Sequence, residues 1–123
     1  MMRWIAVLFL AFPGIGLAQA ESEFYVCSPF FERSVVGEKT DLGWPVFVRL
    51  TEVGTTSLAA FTEANAGKMT RIIVGDREFL RAAIWAPITS GSLRGMFSSE
   101  EVANDWQRTL AGQLPVAPCG AGN

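Results

Sequence analysis

The chain has 123 residues, 50% of them hydrophobic, with 10 Lys and Arg against 12 Asp and Glu, a net charge of −2 and no histidine. No basic block is present, which excludes the clustered positive footprint that nucleic acid or an anionic membrane surface needs. Without histidine the commonest general base is missing, and two distant cysteines cannot supply the four ligands of a structural zinc site.

Met1 to Ala20 reads MMRWIAVLFLAFPGIGLAQA. Arg3 supplies a positive start, Trp4 to Phe12 an uncharged apolar run, Pro13 and Gly14 a break, and Ala18-Gln19-Ala20 a small-residue cleavage site. This is the pattern of a secretory signal peptide. An uncleaved anchor is the alternative, but a spanning helix takes about 20 apolar residues and this run is shorter. The mature chain is expected to begin at Glu21, to be soluble and exported, and to form one domain. Cys27 and Cys119 then stand near opposite ends of that domain, and in an exported chain they are expected to form one disulfide; two free thiols are the alternative.

Glu21 to Phe31 is an aromatic-rich N-terminal segment, and Glu32 to Val36 a possible first strand. Gly37 to Gly43 is a polar loop with glycine at both ends. Pro45 to Thr51 alternates, with Val46, Val48 and Leu50 on one face and Phe47, Arg49 and Thr51 on the other, the signature of a strand with unlike faces. From Thr55 to Ala66 the spacing becomes helical, with Leu58, Phe61 and Ala64 as its stripe and Gly67 as a left-handed stop. Met69 to Val74 and Glu78 to Ile88 read as two strands joined at Gly75-Asp76, with Leu80, Ala82, Ile84 and Ala86 opposing Phe79, Arg81, Ala83 and Trp85. Leu93 to Phe97 is a short returning strand, and Ser99 to Ala111 a helix with Val102, Trp106 and Leu110 on one side. The predicted fold class is α+β: a two-layer sandwich, a mainly antiparallel sheet with two helices on one face.

The stretch PITSGSLRGMFSSEEV raises the question of a phosphate loop. Ser98 and Glu101 instead make a capping box that occupies the free N–H groups of the helix, and Glu100 and Glu101 repel an anion from it. Gly95 is a close-packing or bulge position, and Arg94 is the side chain of the stretch left for ligand contact.

From Gly43 to Pro115 the chain resembles the head subdomain of the first periplasmic domain of SecD, the proton-driven accessory of the bacterial secretion channel. The residues that carry the resemblance are PVFVRLTEVG, FTEANAGK, MTRIIVGDREF, APITSG, GMFSSEEV and LAGQLP, in matching order over about 70 residues. The family's Asp-Gly turn is inverted here to Gly75-Asp76. The resemblance implies a SecD-head-like domain at 43–115, which the residue reading flanks with a signal peptide at 1–20, an N-terminal segment and first strand at 21–42 and a C-terminal tail at 116–123. It also implies a periplasmic location and a polypeptide-contacting surface. SecD carries its head on a membrane-embedded transporter half beside a base subdomain, and neither is recognised here, so a stand-alone exported version without the motor is expected.

Catalysis is not expected: the serines occupy turns and caps, and the adjacent Glu100 and Glu101 point about 100° apart on a helix instead of facing each other. No cofactor and no metal is expected. If both helices cover the Val46/Leu50/Leu80/Ile84 face, the opposite face carries Phe47, Arg49, Arg71, Phe79, Arg81 and Trp85. Arginines among aromatics can grip an unfolded or emerging polypeptide by stacking and by bonding its carbonyls. The alternatives are ordinary cross-strand packing, or cover by the segment around Phe30 and Phe31. The expected function is thus a non-enzymatic polypeptide-binding module accessory to export, or alternatively an envelope protein docking one folded partner.

Overall fold

A computed structural model describes residues 21–121; the signal-peptide reading of Met1 to Ala20 lies outside them. In chain order the elements are β1 (Ser22–Val26), a 3-10 turn (Ser28–Phe30), β2 (Phe31–Val36), β3 (Trp44–Leu50) and α1 (Glu52–Ala64). They continue with β4 (Met69–Val74), β5 (Arg77–Ala83), β6 (Ser92–Phe97), α2 (Glu100–Ala111) and β7 (Gly120–Ala121). Among the described residues no helix is long and apolar enough to cross a membrane.

The α+β class holds, with mainly antiparallel pairing, but the strands divide between two sheets. Sheet one has the order β5-β4-β1-β7 and sheet two the order β2-β3-β6. The cause is β1, part of what reads in sequence as an N-terminal segment. It pairs parallel to β4 from Ser22↔Thr70 to Val26↔Val74, which draws the β4–β5 hairpin away from β3. The two helices do not share one sheet face: α1 packs on the 3-10 turn, β7, β1 and β3, and α2 on β2, β3 and β6. One continuous core, including Phe24, Val48, Leu58, Ile72, Phe79, Trp106 and Leu110, unites them.

Local chemistry explains most boundaries. β3 alternates as expected, with Val46, Val48 and Leu50 buried and Phe47 and Arg49 exposed. α1 starts three residues before the expected Thr55. Thr51 caps it, its Oγ1 accepting from the Gly54 N–H at 3.2 Å and donating to the Pro29 carbonyl at 2.8 Å. Gly54 is a poor helix former, but a Cβ there would lie 2.8 Å from the Phe30 carbonyl oxygen, so only glycine lets α1 approach the 3-10 turn. Gly67 takes the expected positive φ of 82° just past the helix. α2 is capped by Ser99, not Ser98, whose hydroxyl accepts from the Val102 N–H at 3.2 Å. Its buried stripe is Ala103, Trp106 and Leu110; Val102, one residue off, is exposed.

Cys27 and Cys119 are bonded to each other across 92 positions. The segment around Cys119 is further held by Leu114 in the core, by the Ser28 N–H donating to the Pro115 carbonyl at 2.8 Å, and by the two rungs β7 adds to β1.

Candidate functional site

The six residues expected on one face occupy four environments. Phe47 and Arg49 lie on the outer face of β3, in the middle of sheet two, with Phe47 39% exposed. Arg71 and Arg81 lie opposite each other on the outer face of sheet one. Trp85 follows the end of β5, 76% exposed, its ring against Gly67, where a Cβ would come within 2.8 Å of it.

Phe79 corrects the expectation most directly, because it is in the core. The β4–β5 register shifts so that Ile72 opposes Leu80 and Ile73 opposes Glu78, leaving Phe79 as the extra residue of a bulge. The bulge breaks the alternation that would have turned Phe79 outward beside Arg81. Its ring packs edge-on to Trp106 at 5.1 Å and against Phe97 at 5.7 Å. β5 also ends at Ala83, short of the expected Ile88, so Ile84 and Ala86 form no strand face. The Thr62 hydroxyl holds the segment beyond it by accepting from the Ile88 N–H at 2.9 Å.

Arg71 and Arg81 are engaged within the chain. Arg71 donates to Glu23 at 2.5 Å and to Glu78 at 2.9 Å, with Glu21 at 3.9 Å, and Arg81 pairs with Glu21. The hydrogen bond to Glu78 raises the Arg71 pKa above its ordinary value, joined by the charges of Glu23, Glu78 and Glu21 and opposed by desolvation. Tyr25, two residues from Glu23 on β1, donates its hydroxyl to that carboxylate at 2.9 Å. That bond, with desolvation and the Glu23 charge, raises the Tyr25 pKa, while the Arg71 charge lowers it.

The outer face of sheet two differs. Strand register places Val35 of β2 and Arg94 of β6 on either side of Phe47, and Arg33 and Ser92 on either side of Arg49. Among the described residues Arg49 finds only neutral acceptors, the Ser90 carbonyl and the Ser92 hydroxyl, both at 3.2 Å. Arg33 touches the neighbouring Glu32 at 3.0 Å, and Arg94 has no ion pair among the described residues. Shallow clefts flank Phe47: one of about 180 Å³ bordered by Arg33, Val35 and Arg49, another of about 330 Å³ bordered by Asp41, Leu42 and Arg94. Val35 and Leu42 are exposed by 56% and 77%. Gly37 lies under the Phe47 ring, where a Cβ would come within 2.7 Å of it.

This face can bind. Guanidiniums donate charge-assisted hydrogen bonds to carboxylates or peptide carbonyls, and Phe47, Val35 and Leu42 offer apolar contact. Sequence reasoning missed Arg33 and Val35 because their register on β2 beside β3 brings them next to Phe47 and Arg49, and Leu42 because the loop between those strands folds it against the same face. Arg94, noted in sequence for ligand contact, joins them through the pairing of β6 with β3.

No protein-family model and no curated protein matches the sequence. Among solved structures, the fold is similar to that of SecDF, reported as a membrane component that enhances protein export, with a TM-score of 0.62 and 20% identity. The similarity covers 76% of this chain and 43% of that chain, so the chain matches less than half the length of the solved one. The chain has a SecD-like fold.

Proposed function

We propose that this chain is a stand-alone, non-enzymatic counterpart of the SecD head that binds extended polypeptide in the periplasm and assists protein export. The observation that carries the reading is the outer face of sheet two, where Phe47 and Arg49 stand exposed and Arg49 has no carboxylate partner among the described residues. The SecD-like fold supports the link to export, and the Cys27–Cys119 bridge suits an oxidising compartment. Relative to the sequence expectation, the binding surface contracts to Phe47 and Arg49 and gains Arg33, Val35, Leu42 and Arg94. Arg71 and Arg81 become structural, and Phe79 leaves the surface.

The test is capture of a reduced, alkylated protein by the purified chain. Phe47→Ala with Arg49→Glu is expected to weaken capture about tenfold, the loss of one interface anchor. Arg81→Glu with Trp85→Ala is expected to leave it unchanged. Equal capture by all three versions, or loss only in the second pair, refutes this surface. Recovery of a single folded envelope protein, with no binding of the unfolded one, replaces the reading with that of a docking module.

A further inference from the structure

Two pairs of arginines face each other across neighbouring strands, Arg71↔Arg81 on sheet one and Arg33↔Arg49 on sheet two. Like charges in directly opposed positions repel and destabilise a sheet unless something neutralises them. At the first pair the chain does so itself, with Glu21, Glu23 and Glu78. At the second pair the only carboxylate paired among the described residues is Glu32, which touches Arg33 alone while both side chains stay exposed. Arg94 adds a third positive charge across Phe47, and Asp41 is the acidic residue at that rim. The chain as a whole is acidic, so this positive patch is a local departure from its net charge of −2.

We propose that Arg33 and Arg49 form a carboxylate-binding site that gives this face a preference for acidic, extended polypeptide. The inference rests on the polypeptide-binding reading above and names its substrate class. A carboxylate from the partner takes the place that Glu21, Glu23 and Glu78 fill at the other pair. The apolar row Val35–Phe47 lies two residues along the strands from the Arg33–Arg49 row, about 7 Å. An extended partner running with the strands repeats its own side chains at the same spacing. The favoured segment therefore carries an acidic residue and an apolar one two positions apart, on one side of the peptide.

The test uses the full domain and short labelled peptides containing Glu-x-Phe, Gln-x-Phe or Glu-Phe, read by fluorescence anisotropy. At low salt, Glu-x-Phe is expected to bind about fivefold more tightly than Gln-x-Phe, the scale of exposed ion pairs. The advantage is expected to shrink as salt rises, since exposed charges are screened. Arg33→Gln with Arg49→Gln is expected to remove it without lowering the melting temperature, since the change also relieves the repulsion between the two arginines, and Arg81→Gln to keep it. If that double variant misfolds, the salt dependence of the unaltered protein decides alone. Equal binding of the Glu and Gln peptides overturns the carboxylate site and leaves polypeptide binding standing. Silence from every peptide and from the unfolded protein overturns both. Binding to phosphatidylglycerol vesicles without binding of Glu-x-Phe overturns the peptide as occupant.

Discussion

Replacing Phe79 by alanine tests the division of the sheet more sharply than any other change, because Phe47 offers the same substitution in the opposite environment. Phe79 is 3% exposed and contacts the rings of Trp106 and Phe97, with Arg77 stacked 4.0 Å over the nearer partner, Trp106. Burying a phenylalanine contributes about 2–3 kcal/mol, and each aromatic pair about 0.5–1.5 kcal/mol more. The cavity left behind places Phe79→Ala at about 3–5 kcal/mol. Phe47 is 39% exposed, leaves no enclosed cavity, and is expected to cost about 1 kcal/mol. Urea titration followed by far-UV circular dichroism measures both. With a slope of about 1–3 kcal/mol per molar, Phe79→Ala lowers the midpoint by about 2 M, and Phe47→Ala by about a quarter of that. The slope should remain unchanged in both. Near-equal costs would refute the bulge that turns Phe79 inward and, with it, the assignment of the binding surface to sheet two.

The Cys27–Cys119 bridge closes 92 positions, for which the chain-entropy relation gives about 4–5 kcal/mol; Cys27→Ala with Cys119→Ser is expected to cost about 2–5 kcal/mol in thermal or urea unfolding. A loss within about 0.5 kcal/mol, the range of neutral surface changes, would show that the bridge does not constrain the unfolded chain. Tyr25 is the one tyrosine of the sequence, so its ionisation can be followed by absorbance near ~295 nm without interference from another phenol. Its midpoint is expected above the ordinary 10.0, and Glu23→Gln is expected to lower it. Because the folded protein holds this proton more tightly than the unfolded chain, the associated stability is present below pH 10 and is lost as pH rises through the folded midpoint. A midpoint at or below 10.0 would contradict the Tyr25–Glu23 hydrogen bond.

Features that depend on near neighbours were legible in the sequence. β3 shows its two faces because one is buried and the other is not, and period 2 reports that difference directly. Gly95 was expected to mark close packing, and a Cβ there would indeed meet the Phe79 and Phe97 rings at 2.9 Å. The cysteine pairing followed from compartment and count. What failed depends on distant partners. Glu78 reaches Arg71 from the next strand of the hairpin, but the other carboxylates that occupy Arg71 and Arg81 come from Glu23 and Glu21, 48 and 60 positions away, and no local pattern announces those. β1 turns Phe24 and Val26 into the core and Glu23 and Tyr25 outward, but the aromatic Tyr25 on the outer side hides that alternation in the sequence, and parallel pairing leaves no hairpin turn to mark the strand. The bulge at Phe79 inserts one residue into an otherwise regular alternation, which inverts the faces of the strand residues on one side of it and so turns Phe79 inward and Glu78 outward.

The interior place of β1 also orders events in time. During N-terminal-first synthesis or translocation, β1 emerges well ahead of both of its neighbours. Its partner β4 is complete only at Val74, and its second partner β7 only at Ala121. The adjacent strands β2 and β3, by contrast, can meet as soon as Leu50 has appeared. Sheet two can thus start to assemble from near neighbours, while sheet one must wait for contacts distant in sequence, which close more slowly. Phe24 and Tyr25 spend that interval in an unpaired strand that displays its full backbone hydrogen-bonding edge, so a nascent form of this chain resembles the extended polypeptide that its finished fold is proposed to hold.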